Sequence, residues 1–302
     1  MTIHKLNVDK SENTETFAKL RELLSSAEHE RDHQSWTYEF RTLLLENYRA
    51  RPDIHQQLWI PYCTQHLEEF ETLQWTVTTV ERFLEWHEAA PFVEFRLEFN
   101  SRSGGDWILQ KIAASPGTQM LVEIQAMDNE IMDEGLIALA NSPYTSHLRI
   151  LHLGTNHIGS EGVEALICSP TIRNLEVLNL SENELWDKQL TAIVNSNNMR
   201  HLRVLDVSHN KISDKGLETL ANSNKLESLE RITLRGNRDI SRQGYEVLIL
   251  SEAMPKKVRR DLLKEIRTDH LIELANQLGM EVKPEHPREE MIEWIWQNMA
   301  DL

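Results

Sequence analysis

A repeat of 27 residues is the feature of this chain that most limits what it can fold into. Equivalent residues recur at this interval across roughly residues 94–251 of the 302-residue chain. The recurring leucines, asparagines and serines are Leu121, Leu148, Leu175, Leu202 and Leu229; Asn129, Asn156, Asn183, Asn210 and Asn237; and Ser115, Ser142, Ser169, Ser196 and Ser223. A fixed period of this length is typical of stacked units that share one continuous core. We therefore predict a solenoid, a scaffold that offers binding surface rather than a particular chemistry.

The unit at residues 148–174 shows how each repeat is expected to fold. The pattern LxxLxLxxN is filled by Leu148, Leu151, Leu153 and Asn156. Alternation around Leu151 predicts a short strand, and the amide of Asn156 is expected to bond backbone groups that the following turn leaves free. A helix should begin near Gly162 and end at Ser169-Pro170, because proline interrupts helical hydrogen bonding.

This pattern resembles the leucine-rich repeat, in the helix-containing type of ribonuclease inhibitor. The resemblance implies an α/β solenoid over residues 93–251, with parallel strands inside, helices outside and binding on the concave face. Five regular units follow a degenerate one that has Arg102 where asparagine is expected. Departures from the pattern are Gln189 in place of the helix-opening glycine, Ala126 at a core leucine and one inserted residue before Ile240. In the last unit we predict Ile240, Val247 and Leu248 in the core.

Three rows of side chains are expected on the concave face, from the third, fifth and seventh positions of each unit. The third-position row is Arg96, Glu123, Ile150, Val177, Val204 and Arg231, and the fifth-position row is Glu98, Gln125, His152, Asn179, Asp206 and Thr233. The seventh-position row is Asn100, Met127, Gly154, Ser181, Ser208 and Arg235. An apolar centre with a polar rim suits protein recognition. We therefore predict partner contacts by Glu123, Gln125, Ile150, His152, Val177, Asn179, Val204, Asp206, Arg231 and Arg235. The alternative is that Ile150, Val177 and Val204 are present only because β-branched residues favour strands.

Residues 1–92 are predicted to form a helical cap or companion domain. Helix faces are indicated by Phe17, Leu20, Leu23 and Leu24; by Phe40, Leu43, Leu44 and Tyr48; and by Leu58, Tyr62, His66, Leu67 and Phe70. Residues 43–71 resemble the repeat-companion domain that precedes leucine-rich repeats in some bacteria, through Leu43, Leu44, Pro52, Leu58, Tyr62, Leu67 and Glu68. Because an uncovered solenoid end exposes its core, we expect Trp75, Phe83, Leu84 and Trp86 to cover the first repeat.

Residues 252–302 depart from the repeat and are predicted to form a small helical cap. Their layout of helix, glycine stop, extended link and second helix also resembles SAP, LEM and Rho-terminus modules, some of which bind nucleic acid. Lys256, Lys257, Arg259 and Arg260 are the candidate phosphate contacts for that alternative. Glu289, Glu290 and Glu293 on the last helix oppose it.

The composition excludes several classes of protein. With 32 lysines and arginines against 48 aspartates and glutamates, the net charge is −16, so broad binding to nucleic acid or anionic membranes is disfavoured. The two cysteines, Cys63 and Cys168, have no metal-ligand spacing, and the polar N-terminus has no signal-peptide pattern. No run of 18 apolar residues is present. These features predict a reduced cytoplasmic protein with no cofactor and no membrane insertion.

One string matches a catalytic motif, since His29-Glu30-Arg31-Asp32-His33 reads H-E-x-x-H. On a helix both histidines would face one way and could hold zinc, with Glu30 as base. The charged Arg31 and Asp32 favour a solvated segment instead, and Cys63 with His66 is best explained by ordinary packing. We therefore predict a non-catalytic protein-binding scaffold. The rivals are a nucleic-acid-associated factor and, third, a zinc hydrolase.

Overall fold

The structure, a computed structural model, describes residues 12–25, 33–67, 74–99, 104–283 and 286–298. The chain divides into two compact units. The first is Met1–Trp75 with Glu81–Glu94, and the second is Thr76–Val80 with Phe95–Leu302. The predicted boundaries at 92/93 and 251/252 stay predictions.

The first unit is helical. Its elements are α1 (Glu12–Ser25), α2 (His33–Ala50), α3 (Pro52–Ile54), a π-helical turn (His55–Trp59), α4 (Ile60–Leu67) and most of α5 (Val80–Ala89). Helix α3 begins at Pro52, a position where the backbone N–H would have no partner within the helix, so the lack of an N–H in proline has no cost. Its core includes Leu20, Phe40, Leu44 and Phe83, all fully buried.

The structure differs from the predictions for this unit at two places. Among the described side chains of residues 52–65, the fully buried ones are His55, Trp59 and Cys63, whereas the predicted Leu58 and Tyr62 are half-buried; the side chains of Leu67 and Phe70 lie outside the described residues. His55 tolerates burial because its ring nitrogens bond the Asn47 side chain and the Ala89 carbonyl, at 3.1 and 2.6 Å. Leu84, predicted to cover a core, is exposed because it lies about 100° around α5 from the buried Phe83. The predicted covering of the first repeat stays a prediction.

Most of a seven-stranded sheet, whose strands follow chain order, lies in the second unit. The strands are β1 (Gln74–Val77), β2 (Glu94–Glu98), β3 (Leu121–Gln125), β4 (Ile150–His152), β5 (Val177–Asn179), β6 (Val204–Asp206) and β7 (Arg231–Thr233). The second unit contains β3–β7 and most of β2. Strands β2 to β7 pair in parallel, and from β3 onwards equivalent residues of successive repeats lie directly opposite each other. This confirms the predicted fold class.

One helix follows each strand of the repeats. These helices are α6 (Gly105–Ala114), α7 (Asp133–Asn141), α8 (Ser160–Ile167), α9 (Asp187–Asn195), α10 (Asp214–Ala221) and α11 (Arg242–Leu250). The recurring leucines are at most 2 % exposed. The last repeat differs from its prediction: Ile240 is half-buried and Val247 is 38 % exposed. The inserted residue shifts the inward-facing helix positions by one, so that Ile249 takes the place predicted for Val247 in the core, while Leu248 is buried as predicted.

The recurring asparagines form a ladder of hydrogen bonds between repeats. Asn210 shows the full pattern: its Oδ1 accepts from the backbone N–H groups of Asn183 and Leu185 at 3.2 and 3.0 Å. Its Nδ2 donates to the carbonyl oxygens of Leu180, Val207 and Ser208 at 2.9, 3.0 and 3.0 Å. The predicted role of the asparagine is confirmed, and it extends to the backbone of the preceding repeat.

The recurring serines link the helices in a similar way. The Oγ atoms of Ser142, Ser169, Ser196 and Ser223 donate to the carbonyls of Ala113, Ala140, Ile167 and Val194, at 2.7, 2.6, 3.0 and 2.7 Å. Each acceptor is at or near the C-terminal end of the preceding repeat's helix, where carbonyls lack intrahelical partners. Ser251 continues the series toward Ala221, one residue late because of the insertion.

Three helices follow the last repeat: α12 (Lys256–Glu265), α13 (Thr268–Gln277) and α14 (Arg288–Asn298). Helix α12 packs against β7, and the Glu265 carboxylate accepts a hydrogen bond from the Leu234 N–H at 3.1 Å. In the preceding repeat the equivalent N–H, that of Val207, donates to a carbonyl of the next strand. At the β7 edge, where no further strand follows, the Glu265 carboxylate therefore takes the place of the strand carbonyl that would accept the Leu234 N–H.

Candidate protein-binding face

The sheet face opposite helices α6–α11, here called the concave face, carries the predicted rows of side chains. Ile150, Val177 and Val204 lie on adjacent strands in direct register, and we call them the apolar strip. All three are half-buried, whereas the intervening Leu151, Leu178 and Leu205 point into the core and are fully buried. Glu123 and Arg231 continue the row at its two ends.

The polar side chains beside the strip are held in place by their own loops. Asn179 Oδ1 accepts from the N–H and the Oγ of Ser181 at 2.8 and 2.7 Å. Asp206 Oδ1 accepts from the same groups of Ser208 at 2.9 and 2.6 Å. The Oδ1 atoms of Asn179 and Asp206 are therefore already hydrogen-bonded, and these bonds hold both side chains in one orientation.

His152 lies between Gln125 and Asn179 in the fifth-position row and is half-buried. Burial lowers the pKa of His152 below its usual value, against the opposing fields of Glu123 and Asp206. The imidazole is therefore neutral near pH 7, and this row presents hydrogen-bonding groups rather than a cation.

The seventh-position row is filled rather than open. Gly154, Ser181 and Ser208 are buried, and a Cβ added to Gly154 would lie 2.6 Å from Ser181 Oγ. Met127 remains 43 % exposed beside them.

The two ends of the concave face differ in charge. Glu123 is only 5 % exposed, and it pairs with Arg96 at 3.3 Å and accepts a hydrogen bond from Gln125 at 2.6 Å. At the other end, Arg231 and Arg235 are exposed, and neither forms an ion pair with any residue that the structure describes. The β7 end therefore offers two arginines to a partner.

The basic residues of α12 are largely occupied. Lys257 binds Glu230 at 2.7 Å, and Arg260 binds Glu293 at 2.7 Å. Arg259 is half-buried, which leaves Lys256 as the exposed cation of the four without an ion pair among the described residues. A groove of about 750 Å³ is lined by the basic residues Lys256, Lys257, Arg260, Lys264 and Arg288 and by the acidic residues Asp261, Glu289 and Glu293. The groove has mixed charge, unlike the clustered cations of a phosphate-binding surface.

Lys257 also continues a series that starts in the repeats. Arg149, Glu176, Arg203 and Glu230 occupy the second position of successive units, and Lys257 follows 27 residues later. Arg203 lies 2.5 Å from Glu230 and 3.8 Å from Glu176. Glu176, Arg203, Glu230 and Lys257 thus form a row of alternating charges linked by ion pairs, and Lys257 is its last member.

A series of aspartates is part of the scaffold that the sequence reasoning missed. Asp106 Oδ1 accepts from the N–H of Gly135 at 2.8 Å, and Asp133 Oδ1 accepts from the N–H of Gly159 at 2.7 Å. Asp187 and Asp214 act alike on Ser213 and Ser241. Each carboxylate lies at the N-terminal end of the next repeat's helix, where the partial positive charge favours it.

These aspartates explain the helix-opening glycines and their one exception. A Cβ on Gly135 or Gly162 would lie 2.5 or 2.6 Å from the preceding aspartate oxygen. The one exception is α9. The residue at the aspartate position of the preceding repeat is Ser160, and Gln189 replaces the helix-opening glycine and donates to Ser160 Oγ at 2.6 Å. The signal for this series was the 27-residue spacing of Asp106, Asp133, Asp187 and Asp214, which Ser160 interrupts.

The catalytic candidates are not brought into a site. Residues 29–32 of the H-E-x-x-H string, and the side chains of His33 and His66, lie outside the described residues. Burial raises the pKa of Cys63 to about 12, so its thiol stays protonated at neutral pH. Among the described side chains, no group of three histidines, cysteines, aspartates or glutamates could hold a metal ion. None of the described helices combines the length and apolar character needed to cross a bilayer.

Comparisons with known proteins bear on the repeats. The family model described as "Leucine Rich repeat" matches residues 145–167 and 198–221. No curated protein matches the chain. Among solved structures, the chain is similar to an internalin from Listeria monocytogenes, with 18 % identity and a TM-score of 0.39. That match covers 61 % of this chain and 46 % of the internalin chain, less than half of its length. The family match within the repeats and the parallel, in-register strands support a leucine-rich-repeat solenoid as the fold of the repeat segment.

Proposed function

We propose that this protein is a non-catalytic scaffold that binds a partner protein through the concave face of its repeats. The observation that carries the proposal is the apolar strip, in which Ile150, Val177 and Val204 stay half-exposed in one line while the leucine that follows each of them is buried. An apolar centre surrounded by Glu123, Arg231, Asp206 and neutral polar groups has the composition of a protein-recognition surface.

The hydrogen bonds beneath this face favour the same function. The asparagine and serine series hold successive strands and helices in fixed positions, and Asn179 and Asp206 are held by adjacent serines. A surface that loses little conformational freedom on binding retains more of its interaction energy as affinity.

Finer features belong to the same proposal. The unit plan of strand, asparagine turn and eight- to nine-residue helix in α7–α11 supports the ribonuclease-inhibitor-like type. The helix, break at Pro52 and following helix of the first unit support the bacterial repeat-companion domain. A cytoplasmic location stays a prediction. The nucleic-acid alternative has little support, because Lys257 and Arg260 are already paired with Glu230 and Glu293.

The test is a crosslinking pull-down from the native host with three baits: wild type, Val177→Glu and Val247→Glu. Val247 is the matched control, because the same substitution is made at an exposed valine on a solenoid helix. A protein captured by wild type and Val247→Glu, but lost by at least about tenfold with Val177→Glu, would support the proposal. Equal capture by all three baits would refute concave-face binding, provided that circular dichroism shows all three folded.

A further inference from the structure

The apolar strip has a spacing that selects among the possible backbones of a partner. Ile150, Val177 and Val204 are partners in register on adjacent parallel strands. Adjacent strands are about 4.8 Å apart, so the strip spans about 9.6 Å across the strands. A partner crossing the strands at right angles must present an apolar side chain at close to this interval.

An α-helix fits this interval better than an extended segment. A helix presents side chains on one face once per turn, about every 5.4 Å, so over two steps its mismatch with the strip is about 1.2 Å. An extended chain presents one every second residue, about every 6.7 Å, which gives a mismatch of about 3.8 Å. Helical spacing therefore allows all three strip residues to be contacted by one continuous segment.

The other common mode for an extended partner is to add a strand to the sheet edge. At β7 this route is obstructed, because α12 packs against the strand and Glu265 accepts the Leu234 N–H. An extended partner thus fits neither the face nor this edge.

Charge sets a direction for the bound helix. The C-terminal end of a helix carries a partial negative charge, and anionic side chains there would add to it. Arg231 and Arg235 are the exposed cations at the β7 end, although Asp206 and Glu265 partly offset their field. At the opposite end, Glu123 is already paired with Arg96, and Glu98 lies beside Gln125 in the next row.

We infer that the concave face takes an amphipathic α-helix of the partner protein, laid across the strands. Apolar residues at i, i+3 or i+4, and i+7 contact Ile150, Val177 and Val204. The C-terminal turn of the helix carries an acidic residue against Arg231 and Arg235. This inference rests on the proposed function and specifies the partner's chemistry.

The test uses the protein captured in the pull-down as its probe. Benzoylphenylalanine is placed singly at positions 150, 177 and 204 of the full chain, with position 247 as the control, and the crosslinked partner residues are mapped by mass spectrometry. A bound helix predicts crosslinks that advance by three or four partner residues per strand, with numbers rising from 150 to 204. Steps of about two residues, crosslinks to separate loops, or falling numbers would overturn the inference while leaving the proposed function intact.

Two further measurements keep the inference testable if a bulky crosslinker weakens binding. Hydrogen exchange of the partner with the unmodified chain should protect one continuous helical segment; protection of scattered loops would refute the inference. Arg231→Glu should weaken binding by about tenfold or more, whereas Arg238→Glu, an exposed arginine outside the three rows, should not. Equal effects of the two variants would contradict the assigned direction. If Val177→Glu captures the partner as well as wild type does in the pull-down, the proposed function itself fails.

Discussion

Replacing Asn210 by alanine tests the idea that the asparagine ladder holds the repeats together. Asn210 is 8 % exposed, its Oδ1 accepts from two backbone N–H groups, and the two N–H groups of its Nδ2 are shared among three backbone carbonyls. A hydrogen bond contributes roughly 0.5–1.5 kcal/mol net, and buried groups left without partners cost more than surface ones. We therefore expect Asn210→Ala to lower the free energy of unfolding of the solenoid by about 3–5 kcal/mol.

Asn129 provides a matched control at the same repeat position. Its Nδ2 donates to the Met127 carbonyl at 2.6 Å, but its buried Oδ1 has no hydrogen-bond partner among the described residues. Asn129→Ala removes one bond together with one unsatisfied acceptor, so its cost should be about 1 kcal/mol or less.

Both variants are measured by urea unfolding, followed by circular dichroism and by hydrogen exchange. The amides of Asn183 and Leu185 report the lost acceptor directly, because they donate to Asn210 Oδ1. Equal destabilisation by the two alanine variants would refute the reasoning. So would a loss below about 1.5 kcal/mol for Asn210→Ala, since two acceptor bonds and two donor N–H groups at the lowest typical value already sum to about 2 kcal/mol.

Two further predictions concern the helix entrances and the end of the sheet. Gly162→Ala should cost about 1–3 kcal/mol, because its Cβ would lie 2.6 Å from Asp133 Oδ1. A double-mutant cycle with Asp133→Ser should then show a coupling of about 1 kcal/mol or more, and strict additivity would count against the clash. Burial raises the pKa of Glu265, so its ionisation opposes folding and stability should fall as pH rises above its usual value of 4.5. Glu265→Gln should therefore be more stable than wild type at pH 7, with the difference shrinking toward pH 4; a difference independent of pH would contradict this.

Much of the solenoid could be predicted because its buried positions repeat. Leu151, Leu178 and Leu205 recur at one interval, and a one-residue slip would turn a strand's buried side chains to the opposite face. Prediction failed where the interval changes, as at Val247, which lies outside the core after the inserted residue. It also failed at Asp133, because a series broken by Ser160 was not recognised from its spacing.

For the candidate site, the sequence predicts the rows but not the state of each side chain. The in-register apolar strip follows from the period, whereas the bonds from Ser181 to Asn179 and from Ser208 to Asp206 depend on loop geometry. The pairing of Lys257 with Glu230 is not predicted when residues 252–302 are treated as separate from the repeats. Extending the 27-residue step past the last repeat would have indicated it.

The links between repeats also determine how binding variants must be interpreted. Because the asparagine, serine and aspartate side chains bond groups in neighbouring repeats, no single repeat satisfies its own backbone, and stability depends on nearest-neighbour interfaces. Asn183 and Asn210 belong to the repeats that carry Val177 and Val204. A substitution of either asparagine would therefore shift the strands that carry the apolar strip, although it changes no residue of the strip. A loss of binding therefore reports on recognition only when the amides of Asn183 and Leu185 keep their protection. For Val177→Glu we expect that protection to be retained, because the side chain points away from the core and makes none of the ladder bonds.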